Sequence, residues 1–449
     1  MKINSLIAII TSKVILKLSN TLFKGGSNFP GKIALALDKN ILSTVTKGYK
    51  VILVTGTNGK TTTTSMIYNI LLKDGKKVVT NGTGANMNTG IVASFISNYR
   101  FINKNQDTYA VIEVDEAYLK LITENLKPEI ITVTNLFRDQ LDRYGEVHTT
   151  YRKILEGIHK TPNTLLVLNG DESLLGKIDV LNPTLYYGFN TPINESTTLS
   201  VNADSKFCKF CKTPYSYEFI TYNHLGKYFC ANCGYERPNL KYKVDEIIDL
   251  NSSGSEVIIN NEQYSINQSG EYNIYNGLCA LSVTKELGIN SESIKTSLCN
   301  QKSSFGRQES ININGKELKI ILVKNPAGYN QALNTILLNN NPINLALMLN
   351  DNYADGTDVS WIWDVDFEKL TELEIKDIII SGIRLYDMAI RLKTANLNED
   401  NFKLCESDEE LLNSILNTEE DTTYVLVTYT AMLHLRKLLH GKGYINKIW

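Results

Sequence analysis

The stretch "YKVILVTGTNGKTTTTSMIYNILLKDG", residues 49–75, constrains the fold more than any other part of the chain. "YKVILVT" carries an unbroken apolar run, the mark of a strand buried on both faces. A glycine-rich turn follows, then a helical pattern that stops at Gly75. A strand covered on both faces needs helices above and below it, so this unit predicts a parallel α/β sheet. "KVVTN", "YAVIEV", "EIITVTN" and "TLLVLNG" repeat the β-rich pattern, with helical stretches between several of them. Together they predict a doubly wound, largely parallel sheet. Residues 206–240 interrupt it with a Cys-, Tyr- and Lys-rich insert, and "GSEVIINNEQYSI" reads as a hairpin. Helix resumes from about Asn273.

A new α/β unit begins after residue 310, with strands "KIILV", "INLALML", "DIIISG" and "TTYVLVTY" and helices "RLYDMAIRLK" and "AMLHLRKLLH". The acidic stretch Glu406–Asp421 reads as a solvated helix and loop. The predicted organisation is a helical segment 1–45, a central domain 46–310 with the insertion 206–240, and a C-terminal α/β domain 311–449. The first segment contains an amphipathic helix with Leu6, Ile9, Ile10, Val14 and Leu18 near one face, suited to packing on the domain or to resting on a membrane surface. Its longest apolar run, Leu6–Ile10, is far short of the ~20 residues that span a bilayer. No cleavage site follows it, so a signal peptide is not expected.

Chemistry enters at "VTGTNGKTTT", Val54–Thr63, between strand and helix. Backbone N–H groups of such a turn, with the helix N-terminus, face anionic oxygens. Lys60 would reach the β- and γ-phosphates of a nucleotide, and Thr61 would place its hydroxyl on Mg²⁺. Val54 stands where the full phosphate-loop pattern has another glycine, so the loop is a shortened variant. "VIEVDE" brings Glu113, Asp115 and Glu116 to the end of a later strand, where a carboxylate can bind Mg²⁺ at the same crevice.

"CKFC" (208–211) and "CANC" (230–233) form two Cys-x2-Cys pairs with eighteen residues between them. Four thiolates from two such knuckles close a tetrahedral zinc site, and Cys208, Cys211, Cys230 and Cys233 are its expected ligands. The role expected is structural. Lys206, Lys209, Lys212, Tyr215, Tyr217 and Arg237 also leave a nucleic-acid-binding ribbon as an alternative class. The net charge of −2 gives no broad pull toward nucleic acid. Seven cysteines with no secretion signal point to a reducing cytoplasm.

"TGTNGKTTT", "EVDE", "TNLFRDQLD" (134–142), "LNGDE" (168–172), "YNIYNGLCA" (272–280) and "GRQE" (306–309) occur in the order of the Mur ligases, and the chain resembles that family over about residues 50–310. Folylpolyglutamate synthases share the fold. The resemblance implies a Mur ligase-type central phosphate-loop domain, a Rossmann-like C-terminal domain and ATP-driven activation of a carboxylate through an acyl phosphate. It places the nucleotide on the loop Gly56, Thr57, Asn58, Gly59, Lys60, Thr61 and Thr62, with Asn273 near the adenine, Arg307 near the nucleotide and Asn276 supporting the pocket. Glu113 becomes a Mg²⁺ ligand and Thr83 a further metal-site candidate. Three departures stand out. Gln140 replaces a usual His and puts the second Mg²⁺ site in doubt, Tyr272 stands where His often precedes the first Asn, and "LVKNPAG" (322–328) replaces a segment that usually bears Asp and His. About 50 residues precede the phosphate loop, so the domain that recognises UDP-linked precursors is not expected.

Within the family, the four-cysteine insert and "DNYADGTDVSWIWD" (351–364) are similar to the synthetase subunit of a two-chain enzyme that amidates lipid II. That resemblance implies conversion of the D-glutamate α-carboxylate of the stem peptide to D-isoglutamine in peptidoglycan synthesis. The ammonia would come from glutamine hydrolysed by a GatD-type glutamine amidotransferase partner. The place of work would be the cytoplasm, at the inner face of the membrane. Cys279, Cys299 and Cys405 lie in no Gly-x-Cys-x-Gly elbow, so another chain must supply any glutaminase nucleophile of that class. An amino-acid-adding ligase of the Mur or folylpolyglutamate type remains the alternative enzyme.

The aspartate–tryptophan loop is not an EF-hand, since Tyr353 and Ile362 occupy ligand positions. Trp361 and Trp363, two apart, read as a short strand or an aromatic docking surface. The resemblance gives Asp355 the task of orienting the catalytic His of the partner, with Asp351, Asp358 and Asp364 as alternatives.

Overall fold

The run Tyr49–Thr55 forms β1, an interior strand third from one edge of a nine-stranded sheet in the computed structural model, which describes residues 2–22, 28–82, 85–101, 108–138, 147–193, 196–199, 203–302, 306–339 and 341–445. Its companions in chain order are β2 (Lys77–Thr80), β3 (Thr108–Glu113), β4 (Ile130–Val133), β5 (Leu165–Asn169) and β6 (Thr184–Phe189). β7 (Ser216–Tyr222) and β8 (Leu225–Phe229) form a separate hairpin, and β9 (Tyr242–Leu250), β10 (Ser255–Ile259) and β11 (Glu262–Ile266) return to the large sheet. The order is β11-β10-β9-β6-β5-β4-β1-β3-β2, parallel from β2 to β9 and antiparallel at the last two strands. The β10–β11 hairpin turns through Asn260 and Asn261, both at positive φ, as a two-residue hairpin loop requires.

Alternation along β1 builds two cores. Ile52 and Val54 pack with Met66, Ile67 and Ile70 of the helix Lys60–Lys73 and with the helix Glu271–Glu286. Val51 and Leu53 face Ile91, Val92 and Phe95 of the helix Asn88–Asn98, backed by the N-terminal helices. β1 pairs with β3 on one side and β4 on the other, so the strand order reverses there. A crevice opens beyond the strand ends at such a switch point, and the phosphate loop occupies it.

The second sheet runs β12-β13-β17-β14-β15-β16, built from β12 (Arg307–Ile313), β13 (Lys316–Leu322), β14 (Ile343–Met348), β15 (Ile375–Ser381), β16 (Phe402–Cys405) and β17 (Thr422–Val427). β12 pairs antiparallel with β13, so its first residues, within the expected 46–310 domain, belong to the second sheet. The acidic helix Asp408–Leu416 opens on a capping box between Ser407 and Glu410.

The N-terminal helix Ile3–Leu22 departs from the expected face. Ser5, Ala8, Ile9 and Ser12 turn inward, while Ile10, Val14 and Leu18 are exposed. Small residues on the inner face let the helix Asn28–Leu37 approach closely. Ser12 Oγ donates to Pro30 O at 3.0 Å, and Ser5 Oγ to Asp38 Oδ2 at 2.6 Å.

The insert docks through a buried ion pair. His224, in the β7–β8 turn, lies 2.8 Å from Glu172 Oε2 with both side chains fully buried. Burial alone would lower the His224 pKa, but the Glu172 carboxylate outweighs it and holds the imidazole above its usual value. Breaking a buried pair leaves an uncompensated charge, so His224→Leu is expected to cost about 3–5 kcal/mol. The sign of the pH dependence follows from the raised value. The ionic part of the advantage is complete below the unfolded-state value of about 6.5 and is lost as pH rises through the folded value. Urea midpoints of wild type and variant, measured from pH 6 upward, should therefore converge partway.

Candidate active site

Gly56 and Gly59 give the phosphate loop its shape, with φ of 119° and 84°. Side chains are excluded there by their neighbours as well as by the backbone. A Cβ on Gly56 would collide with Thr134 and Asn135, and one on Gly59 with the Asn276 carboxamide. The loop is held from the β4 side, where Asn58 N–H donates to Asn135 Oδ1 at 2.9 Å and Thr134 Oγ1 donates to Asn58 O at 2.6 Å. Thr57 N–H donates to Asn135 O at 2.9 Å, while Thr61 and Thr62 lie in the first helical turn. Asn276 accepts from Thr63 Oγ1 at 3.2 Å and donates to Asn273 Oδ1 at 3.0 Å. It buttresses the loop, and Asn273 lines the adjoining cleft.

Lys60 is buried with its ammonium on Gly56 O, on Thr57 O at 3.2 Å and on Glu116 Oε1 at 2.9 Å. Burial pulls its pKa down, but Glu116, Glu113 and Asp115 outweigh that and raise it, so the ammonium stays charged. Glu113, at the end of β3 beside Val54, accepts from Asn86 Nδ2 at 2.9 Å. Two glycines pressed against protein, a buried lysine and three buried carboxylates form a donor set that fits a nucleotide phosphate with magnesium. Thr83 and Gln140 lie outside the described residues, as does the side chain of Arg307.

The C-terminal domain supplies the opposite wall of the cleft through Leu322, Lys324 and Gly328. Asn325 caps the helix Pro326–Leu337 and donates from Nδ2 to Asn58 Oδ1 at 3.2 Å. Asn135, Lys324 and Asn325 border the cleft although sequence reasoning gave them no role, and Glu116, read there only as one of three carboxylates that could bind Mg²⁺, instead pairs with Lys60. Asn-Pro at a helix start was the one local signal for Asn325. The pairing of Glu116 with Lys60 had none.

The four cysteine sulfurs lie within 4.8 Å of one another. The two knuckles repeat one hydrogen-bond pattern. Cys208 N–H meets Thr213 O and Lys212 N–H meets Cys208 O, while Cys230 N–H meets Tyr235 O and Gly234 N–H meets Cys230 O. Lys212 and Gly234 share the left-handed backbone that each turn needs. Within the quartet, contacts with Thr213 hold the Cys211 thiol down, while the neighbouring cysteine sulfurs hold the Cys233 thiol up. The insert's basic and aromatic residues serve its own docking. Lys209 donates to Leu174 O and Gly176 O, Arg237 pairs with Asp171 at 2.8 Å, and Tyr215 and Tyr217 are buried. The aromatic, basic face that a nucleic-acid ribbon needs is not built from these four.

Asp355 is buried, with Oδ1 accepting from Thr430 N–H at 2.7 Å and Oδ2 from the Thr430 hydroxyl. The tryptophans form no strand. Ser360–Asp364 is a 3-10 turn, because Ile362 must enter the core beneath the loop. Trp361 packs on Tyr329, while Trp363 is exposed beneath the Arg391 guanidinium. Tyr353, Ile383, Tyr386 and Ile390 are exposed nearby, on the loop and on or just before the helix Leu385–Thr394. Asp351 lies 3.6 Å from Arg384, Asp358 caps Ser360 N–H, and Asp364 lies 3.5 Å from Arg138 of the "TNLFR" loop. Cys279 is no surface nucleophile, since it sits in the core against Thr132 and burial pushes its thiol up to about 11.

Comparison with known proteins agrees with this geometry. Residues 54–235 match the Mur ligase middle domain, and residues 322–432 match the MurT ligase C-terminal domain. The chain is 40% identical, over 94% of both chains, to the protein of Streptococcus pneumoniae named lipid II isoglutaminyl synthase (glutamine-hydrolyzing) subunit MurT. Its Staphylococcus aureus counterpart is 34% identical over 87% of this chain and 88% of its own. Among solved structures, a pseudomurein peptide ligase type C from Methanothermus fervidus aligns with a TM-score of 0.67 at 21% identity, over 90% of this chain and 81% of its own. A folylpolyglutamate synthase from Thermotoga maritima aligns at 0.60 and 17% identity over 97% of this chain and 98% of its own. The chain belongs to the MurT family of ligases, built on the Mur ligase fold.

Proposed function

We propose that this chain is the ATP-using synthetase subunit of a lipid II isoglutaminyl synthase, converting the α-carboxylate of the stem-peptide D-glutamate to a carboxamide. The observation that carries the reading is the buried Lys60, charged among three carboxylates, at a cleft that the C-terminal domain closes. A carboxylate is a poor electrophile. Its oxygen attacks the γ-phosphorus of ATP, the bond to ADP breaks, and an acyl phosphate forms. Ammonia then adds to the acyl carbon, phosphate leaves, and the nitrogen loses a proton. The loop N–H groups orient the phosphates, and Lys60 balances their charge as it shifts toward the leaving oxygen. In the bound state Lys60 trades Glu116 for the nucleotide. Thr61 and Glu113 are the residues that would hold magnesium, which supplies further charge neutralisation on the phosphates.

Ammonia is proposed to come from glutamine hydrolysed by a GatD-type partner. Asp355 suits the in-trans role, because a triad carboxylate works when it is buried and fixed, as Thr430 fixes this one. Trp363, Tyr353, Tyr386 and Ile390 suit the surrounding contact. Zinc suits the four-cysteine cluster as a structural ion, with the ribbon holding the "LNGDES" segment behind the nucleotide site. The proposed location is the cytoplasm, at the inner face of the membrane.

Lys60→Ala is expected to lower both glutamine- and ammonia-supported amidation of lipid II by at least about 10²-fold. Asp355→Asn should lower only the glutamine-supported route, by up to about 10⁴-fold, and leave the ammonia-supported route near wild type. Both rates can be read from amidated lipid II by mass spectrometry. Equal loss of both routes in Asp355→Asn would remove the in-trans role. For the cysteine cluster, metal analysis should find about one zinc per chain. Cys208→Ser with Cys230→Ser should release that zinc and lower the melting temperature, with ATP turnover falling in parallel.

A further inference from the structure

The N-terminal helix has two faces, and the described fold covers only one. Ile3, Ile7, Ile10, Val14 and Leu18 recur at helical spacing along the outer face, each 48–76% exposed. Such a continuous stripe is unusual on a soluble surface. At the helical repeat, Lys2, Lys13 and Lys17 fall along one flank of the stripe. No acidic residue occurs between Ile3 and Leu22. Among the described residues, no helix is long and apolar enough to cross a membrane. An apolar stripe with one basic flank and no acid within the helix is complementary to an anionic interface, in which such a helix lies flat.

The helix also runs toward the reaction. Its Ser5 meets Asp38 at the far end of the helix Asn28–Leu37, and its Ser12 meets Pro30 at the near end. Gly31 in turn presses on Thr89 at the start of the helix Asn88–Asn98. Three residues earlier, Asn86 donates to Glu113. The later half of the helix is thus the half tied, through Pro30 and Thr89, toward the strand end where Glu113 stands.

We propose that Ile3, Ile7, Ile10, Val14 and Leu18 seat this chain on an anionic phospholipid surface, so that a lipid-linked substrate meets the active site while its tail stays in the bilayer. The inference rests on the lipid II reading above and adds the surface that makes membrane contact.

The test uses the full-length chain and its variant I7Q/I10Q/V14Q in vesicle co-sedimentation. Glutamine is helix-compatible, and circular dichroism checks that the variant is folded. Wild type should bind phosphatidylglycerol vesicles at least about tenfold better than the variant, and better than it binds phosphatidylcholine vesicles. With ammonia as nitrogen source, the variant should keep wild-type turnover on a short-chain, water-soluble lipid II analogue. On vesicle-embedded lipid II it should lose about tenfold at limiting substrate. Wild type that binds neither vesicle, or a variant that binds as well as wild type, overturns the proposal. So does a wild-type dimer that the substitutions convert to a monomer, since a second copy would then cover the stripe. No turnover by wild type on the soluble analogue would overturn the amidation reading instead, leaving the vesicle result to stand alone.

Discussion

The phosphate loop works because no side chain fits where its two glycines sit. Gly59 is pressed on Asn276 from the helix Glu271–Glu286, and Gly56 on Thr134 and Asn135 beyond β4. Close approach fixes the loop from both sides, so its N–H groups are aimed before any nucleotide arrives. The rest of the site hangs from this contact. Asn276 reaches Asn273 in the cleft, Asn135 reaches Asn58, and Asn58 meets Asn325 from the other domain. A cradle held by three separate segments loses its shape if any one of them moves.

That dependence explains the position of the four-cysteine insert. It stands away from the nucleotide, yet its His224 is buried on Glu172. Glu172 also accepts from Leu136 N–H, next to Asn135. A small ribbon of this size cannot bury much core, and its four clustered cysteines offer a site where a metal could add stability. Once folded, it braces the loop that braces the phosphate cradle. Lys209 and Tyr235 are directed at carbonyls of the segment beneath and Arg237 at its Asp171 carboxylate, so these three do not contribute to a basic outer face.

The aspartate–tryptophan loop sits at the other end of the same web. Asp364 faces Arg138, which also pairs with Asp204 ahead of the first cysteine knuckle. Asp355 ties the loop to the start of the last helix through Thr430. A partner docked on Trp363 and its neighbours would thus touch a surface already linked to the loop after β4. The buried carboxylate and the exposed aromatics have separate tasks, which a run of acids and tryptophans does not reveal by itself.

Local chemistry alone determined a good part of this protein. The strand, turn and helix from Tyr49 to Lys73, the hairpin at Asn260–Asn261 and the cysteine quartet were legible, because each is set by spacing within a few residues or by a repeated metal-ligand pattern. Only the tertiary structure decided the partners. Glu116 on Lys60, His224 on Glu172 and Asp355 on Thr430 join positions far apart in the chain, and no periodicity encodes such pairs. The N-terminal helix makes the same point about faces. Its sequence is apolar around much of the cylinder, so hydrophobic spacing could not tell which side packs. The small side chains of Ser5, Ala8 and Ser12 decided it, because only there can a second helix come close enough to bury the contact.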